Sequence, residues 1–438
     1  MIYDRVVVVG GGLAGCEAAF QLANMNVPVE LVEMRPARRT AAHKTGYLGE
    51  LVCSNSLKSE DINTAQGVLK REMRKLNSLI LMAADRCRVP AGSALAVDRE
   101  LLGKLVTEII TGHPLIQVTI KEMENIPEFG ITVVASGPLT SDALSASIAR
   151  LTGEEHLHFF DAVAPIIAVD SIDMNKVYAG SRYGKGEGDY LNCPLNQEEY
   201  EVFYEALLKA DSVPLEGIDE GLYFSACVPI EVMARKGKDN LRFGPMRPVG
   251  LPHPESGQVP YAVVQLRQDN REGTMFSMVG FQTRMKWGEQ ERVLRLIPGL
   301  EKAEFLRLGV MHRNTYINSP RVLTDTLQFR GKPELFFAGQ ITGVEGYMES
   351  AATGIVAGIN AARKYRGLEP VALPRETLIG ALCRYISDPA HSNFQPMNAN
   401  FGILPPLENR IKNKRLRNQH LGERSWQKIG EFSEEFVK

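Results

Sequence analysis

The chain is short of several features that would each have set its class. Across 438 residues there is no uninterrupted apolar run of the roughly 18 residues a membrane-spanning helix needs. The Met1 end passes straight into the valines at 6 to 9, with no basic leader or small-residue cleavage site. Neither membrane insertion nor export is expected, and a cytoplasmic location is. The six cysteines (Cys16, Cys53, Cys87, Cys193, Cys227 and Cys383) include no CxxC pair and have no histidine at metal-ligand spacing, so they read as cytosolic thiols and no metal site is expected. Basic charge is not in excess: 50 Lys plus Arg face 52 Asp plus Glu, a net charge of −2. That excludes a protein whose whole surface attracts nucleic acid, but not one with a local basic patch. Internal repeats, low-complexity tracts and a second GxGxxG leading into a helical stripe are also missing.

The strongest signal present is in the first 35 residues. Val6 to Val9 is a β-branched run of the kind found in a strand covered on both faces. It leads into Gly10-Gly11-Gly12-Leu13-Ala14-Gly15, then into a helical stripe of Cys16, Ala18, Ala19, Phe20, Leu22 and Ala23, and a second apolar strand from Val29 ends on Glu33. This is a βαβ unit with the dinucleotide fingerprint in its required context. Gly10 permits the tight turn, Gly12 lets backbone N–H groups approach a pyrophosphate at the helix N-terminus, and Gly15 allows helix and strand to pack closely. Glu33 is placed to accept from ribose hydroxyls. The same unit serves NAD, FAD or an adenosyl group.

Later segments favour FAD. Ile131 to Ala135 reads as another buried strand, ending at Ser136-Gly137. Glu334 to Ala338 reads as a late strand, followed by Gly339, a loop through Glu345, Gly346 and Tyr347, and an Ala/Gly-rich helix from Ser350 to Ala362. A late strand-Gly-helix unit returning to the nucleotide is a habit of FAD-binding folds, and small residues suit a helix packed close to a sheet with its N-terminus toward phosphate. Between about 190 and 324 proline and glycine become frequent and alternation appears in Tyr261 to Leu266, which fits antiparallel or mixed strands. The expected fold class is α/β: a Rossmann-like FAD-binding domain over 1–190, an inserted mixed α+β domain over 191–324 carrying the substrate, and a return to the FAD domain over 325–438 with a basic tail.

The chemistry-bearing candidates are few. Cys53, in Leu51-Val52-Cys53-Ser54-Asn55-Ser56, follows the nucleotide half-site, where the chain leaving the second strand crosses the flavin. Lys58 and a helix N-terminus nearby favour the thiolate, although an isolated cysteine is by default an inert core thiol. Cys227 precedes Val228-Pro229, which places it on a loop or strand edge. His312 and Arg313 pair a planar ring with a planar cation, able to stack on a heterocycle or grip a carboxylate. Basic residues gather twice: Arg35, Arg38, Arg39, His43 and Lys44, and then Arg410, Lys412, Lys414, Arg415 and Arg417. Either run is a solvated face or an RNA-tracking patch.

Beyond these, the segments Val32-Glu33-Met34-Arg35-Pro36, Leu51 to Ser56, Val89-Pro90-Ala91-Gly92, Arg242-Phe243-Gly244-Pro245-Met246, Val279-Gly280-Phe281-Gln282-Thr283 and Met311 to Thr315 together resemble the bacterial folate- and FAD-dependent tRNA (uracil-5-)-methyltransferases. The likeness runs from the first strand to about residue 410, with a more distant one to the flavoprotein of wobble-uridine carboxymethylaminomethyl synthesis. The resemblance implies methylation of the T-loop uridine of tRNA to ribothymidine. It implies methylenetetrahydrofolate as carbon donor, reduced FAD as carrier and reductant, and NADPH or NADH as electron source. It assigns functional thiols to Cys53 and Cys227 and a folate-stacking role to His312, with Arg313 beside it. It gives the FAD pyrophosphate to Gly10, Gly11, Gly12, Leu13, Ala14 and Gly15; the residue pattern adds Glu33, Arg35, Gly137, Gly339, Gly346 and Tyr347 to the expected cofactor set. Alternative readings are an FAD-dependent oxidoreductase on a small molecule and a flavoprotein subunit of a wobble-uridine complex.

Overall fold

Strand β1 (Val6–Val9) lies at the centre of a sheet, which explains its unbroken apolar run: Val6 and Val8 are wholly buried and Val9 nearly so. The computed structural model describes residues 4–40, 42–153, 157–184, 188–213, 228–391 and 394–437, with side chains described for all of these except 159–161, 312 and 313. Helix α1 (Leu13–Asn24) crosses from β1 to the parallel strand β2 (Val29–Glu33), with Val8 opposite Leu31. Strand β3 (Ile116–Ile120) pairs outside β2, while β4 (Thr132–Val134) and then β5 (Lys332–Phe337) pair on the other side of β1, all parallel. The short strand Gln328–Phe329 closes that edge in antiparallel fashion. The order β3-β2-β1-β4-β5 is the Rossmann-like arrangement, and β5 arrives from some two hundred residues downstream to complete it.

Helix α2 (Tyr347–Tyr365) follows β5 and packs on α1. The contact is close because it is made by small residues. A Cβ added to Gly354 would sit 2.2 Å from the Ala14 carbonyl oxygen, so only glycine fits there. Both helices therefore start beside the C-terminal ends of β1 and β5.

A second sheet of six antiparallel strands has the order Tyr178–Ala179, Tyr190–Leu195, Ala262–Gln268, Met275–Met278, Ile166–Ala168, Phe305–Arg307. It begins before the boundary expected at 191, because Ile166–Ala168 and Tyr178–Ala179 pair within it. The alternation read in Tyr261 to Leu266 does not mark a wet face, since Ala262 to Arg267 are all buried. Its polar members are satisfied inside: Gln265 donates to Asn192 Oδ1 at 3.0 Å and Arg267 to Asn55 Oδ1 at 2.8 Å. The antiparallel ribbon Leu157–Ala162 with Met311–Tyr316 spans between the two sheets.

Two buried carboxylates tie helices together. Glu17, on α1, accepts from the Leu79 and Ile80 backbone N–H groups (3.1 and 3.0 Å) and from the Ser78 hydroxyl. Glu72, on helix Ala65–Lys75, accepts from the Leu378 and Ile379 N–H groups (2.7 and 2.9 Å) and from the Ser425 hydroxyl on helix Lys414–Phe436. Each caps the N-terminus of another helix. Burial pushes both carboxyls up to about 7, against the opposite pull of their hydrogen bonds. A raised folded-state value contributes stability that is complete below the ordinary 4.5 and is lost as pH climbs through 7. Thermal melts should therefore show the midpoint falling between pH 5 and pH 8, and a Glu17→Gln, Glu72→Gln double variant should show a clearly smaller fall. An equal fall in both proteins would contradict this account.

Candidate active site

The fingerprint loop closes on itself and on β2. A Cβ on Gly15 would lie 1.8 Å from the Gly10 carbonyl oxygen, whereas one on Gly12 would meet nothing within 4 Å. Gly12 is the start of α1 and carries no side-chain cap, so the first N–H groups of the helix face open space. Glu33 lies beneath: its carboxylate accepts from Gly11 N (2.7 Å), from Arg35 N (2.9 Å) and from the Arg35 guanidinium (3.0 and 3.1 Å). Arg35 also donates to Glu50 Oε2 at 3.3 Å and the Tyr47 carbonyl at 3.1 Å. Burial pushes the Glu33 carboxyl up, but the hydrogen bonds and charge of Arg35 outweigh it and hold it below the usual carboxylate range. That stabilisation is present at neutral pH and is lost as pH falls through the lowered value.

A cavity opens over this loop. Gly10, Gly12, Leu13, Ala14, Glu33, Arg35, Gly137, Gly339 and Tyr347 line it; Gly11 and Gly15 stand behind the wall. A second chamber shares Val52, Pro138, Leu139, Gln340 and Tyr347 with the first, and adds Cys53, Lys58, Gln282, Asn314, Gly346 and Glu349. The N-terminus of α2, also without a side-chain cap, stands at the junction. Two uncapped helix N-termini, a glycine whose missing side chain leaves a cradle, and a buried carboxylate at the end of β2 fit an extended dinucleotide such as FAD.

Cys53 sits at that junction, half-buried. Its backbone N–H donates to the Tyr347 hydroxyl at 2.7 Å, as does that of Ser54 at 3.1 Å, and its thiol lies 3.7 Å from the Ala162 carbonyl oxygen. Cys16, Cys87, Cys193 and Cys383 are buried, and burial pushes all four thiols up. Cys227 lies outside the described residues; Ile230 N donates to the Gln282 carbonyl (2.8 Å), and Gln282 lines the second chamber. The backbone of His312 and Arg313 belongs to the ribbon strand, next to Asn314 of the chamber wall; their side chains lie outside the described set. Glu349 and the arginines that reach the Cys53 loop sit in no local motif, whereas Asn314 belongs to the Met311 to Thr315 segment without having been singled out.

A family model described as Glucose inhibited division protein A matches residues 5–369. The TrmFO methylenetetrahydrofolate–tRNA-(uracil-5-)-methyltransferase of Syntrophomonas wolfei is 61% identical over 99% of this chain and 100% of its own, and that of Moorella thermoacetica is 58% identical over 98% and 99%. The chain belongs to the TrmFO family. Aquifex aeolicus GidA in its form II crystal shares the fold, with a TM-score of 0.73 at 18% identity over all of this chain and 74% of that one.

Within this TrmFO-family chain one expected basic patch changes membership. Arg35 is 2% exposed and locked between Glu33 and Glu50, so it cannot face RNA. Arg38 is exposed but bidentate on Glu122. The other run is open: Arg410, Lys412, Lys414, Arg415 and Arg417 are all exposed, the last three in the opening turns of helix Lys414–Phe436. Leaving Glu33 buried without its cation costs about 3–5 kcal/mol. Arg35→Ala should therefore purify with less than half the flavin of the parent and melt earlier, with Arg35→Lys between the two. Full flavin content and an unchanged melt in Arg35→Ala would show that the pair does not build the pocket.

Proposed function

We propose that this chain methylates carbon 5 of the T-loop uridine of tRNA to ribothymidine, using methylenetetrahydrofolate as carbon donor. The observation that carries the reading is Cys53 at the junction where a dinucleotide pocket opens into a second chamber. Carbon 5 of uracil is a poor nucleophile. A thiolate adding to carbon 6 turns the ring into an enolate that attacks an electrophilic one-carbon unit, and the thiolate leaves after the carbon 5 proton is lost. Cys53 and Cys227 are the two thiols for this work: one attacks the base while the other acts beside the cofactor.

FAD, when bound and reduced, supplies the hydride and the means of carrying the carbon unit. The fingerprint loop and the starts of α1 and α2 hold its pyrophosphate, and Glu33 its ribose. Tyr347 orients the Cys53 main chain at the pocket's edge. His312 and Arg313 hold the folate from the ribbon strand, and NADPH or NADH is the electron source. Lys414, Arg415 and Arg417 stand at the positive end of a helix, where cations oppose the dipole and add nothing to helix stability. Such placement suits an RNA backbone. The target base is stacked in the tRNA elbow and must be turned out to reach the chamber. No helix among the described residues is long and apolar enough to cross a membrane, in keeping with a cytoplasmic enzyme.

The test is incubation of the purified yellow protein with undermodified tRNA, labelled methylenetetrahydrofolate and NADPH. Label should appear in ribothymidine, S-adenosylmethionine should not replace the folate, and Cys53→Ala and Cys227→Ala should each lower transfer by at least about a hundredfold. Flavin-loaded protein that leaves ribothymidine unlabelled, or full transfer by both variants, would refute the reading.

A further inference from the structure

Four consecutive residues around Cys53 are gripped by three arginines from distant parts of the chain. Arg307 Nη2 donates to the Val52 carbonyl at 2.7 Å and Arg99 Nη1 to the Cys53 carbonyl at 3.1 Å. Arg267 donates through Nη2 to Ser54 Oγ and through Nε to Asn55 Oδ1, both at 2.8 Å. Arg267 and Arg307 stand on strands of the antiparallel sheet, and Arg99 starts helix Arg99–Gly112. Asn55, wholly buried, donates onward to the carbonyls of Val97 and Gln268 at 3.1 and 2.9 Å.

The charges are not balanced. Arg99 is bidentate on Asp269, at 2.7 and 2.9 Å. Among the described residues Arg267 and Arg307 have no carboxylate in ion-pair contact, although Arg267 is 8% exposed and Arg307 Nε is buried without a hydrogen-bond partner. Burial pushes both guanidinium groups down, and the charge of Arg99 adds to the push. Buried cations without a counter-ion are costly, and a neighbouring anion relieves the cost. Cys53 lies close enough to all three arginines for their charges to act on its thiol. Other groups facing the cluster are Asp269, Tyr190 and Tyr347, with Lys58, Glu345 and Glu349 in the chamber wall.

We propose that Arg99, Arg267 and Arg307 are positioning residues that fix the Cys53 loop at the junction of the two chambers and hold its thiol in the anionic form. This deepens the proposed function and rests on it only for what the thiolate then attacks.

The flavin-loaded full chain is treated with iodoacetamide from pH 5 to pH 9, without tRNA or folate, and carboxamidomethylation of the Cys53 peptide is timed by mass spectrometry. Arg267→Gln and Arg307→Gln should each slow alkylation of Cys53 at pH 6.5 by about fivefold or more and move the midpoint of the pH–rate profile upward. Arg267→Lys and Arg307→Lys, which keep the charge, should recover most of the rate. Flavin content and melting temperature are read on the same samples. If Arg267→Gln does not fold, Arg307→Gln carries the test, since its one hydrogen bond reaches a main-chain carbonyl. An unchanged Cys53 profile in folded, flavin-bearing Gln variants, or Lys variants as slow as the Gln variants, overturns the proposal. Because the readout needs no methyl transfer, it stands or falls separately from the tRNA reading.

Discussion

The approach of α2 to α1 is the constraint on which the cofactor pocket depends. Gly354 against the Ala14 carbonyl, and Gly358 against that of Ala18, leave no room for side chains between the two helices. With the helices this close, both uncapped N-termini open on one cavity and β5 is held in register beside β4. Interiors at native packing density transmit any displacement, so a methyl group at Gly354 would spread the two helix starts that face the pocket. The pocket's polar floor, Glu33 with Arg35, is built on the strand that the same unit delivers.

From that floor the chain climbs through residues 47 to 55 to the junction, and there the second sheet takes hold. The hydrogen bonds from Arg267 and Arg307, with the Arg99–Asp269 ion pair, join an inserted sheet, with its own core around Val264, Leu266 and Phe281, to the nucleotide domain at this site. They enter at Val52 to Asn55, a loop that lines both chambers through Val52 and places a thiol beside Tyr347.

What could be read from the residues divides along the same line. The βαβ unit was legible because its signals are local: a β-branched run, three glycines at fixed spacing, an acid at the end of the next strand. The return unit at Glu334 to Ala362 was legible for the same reason, and the observed elements, Lys332–Phe337 and Tyr347–Tyr365, extend it by a turn or less at most ends. The arginine grip was not legible: positions 267 and 307 meet through the antiparallel sheet, and Arg99 joins them from the start of its own helix through Asp269. The alternation in Tyr261 to Leu266 pointed to an antiparallel strand, which it is, but not to the buried partners that Gln265 and Arg267 find there. Arg35 looked like one of a basic cluster, yet its neighbour two residues back, Glu33, claims it for the pocket.

The central claim is that a cysteine thiolate of this chain adds to carbon 6 of a uracil ring. A T-arm RNA carrying 5-fluorouridine at the target position tests it most directly, because fluorine at carbon 5 cannot leave as a proton and the adduct with the thiol is held. With the flavin-loaded protein, methylenetetrahydrofolate and NADPH, digestion and mass spectrometry should find the RNA fragment joined to the peptide of Cys53 or of Cys227, and Cys→Ala at that position should abolish it. Flavin-loaded protein that forms no covalent complex, or one joined through any other residue, would contradict the account.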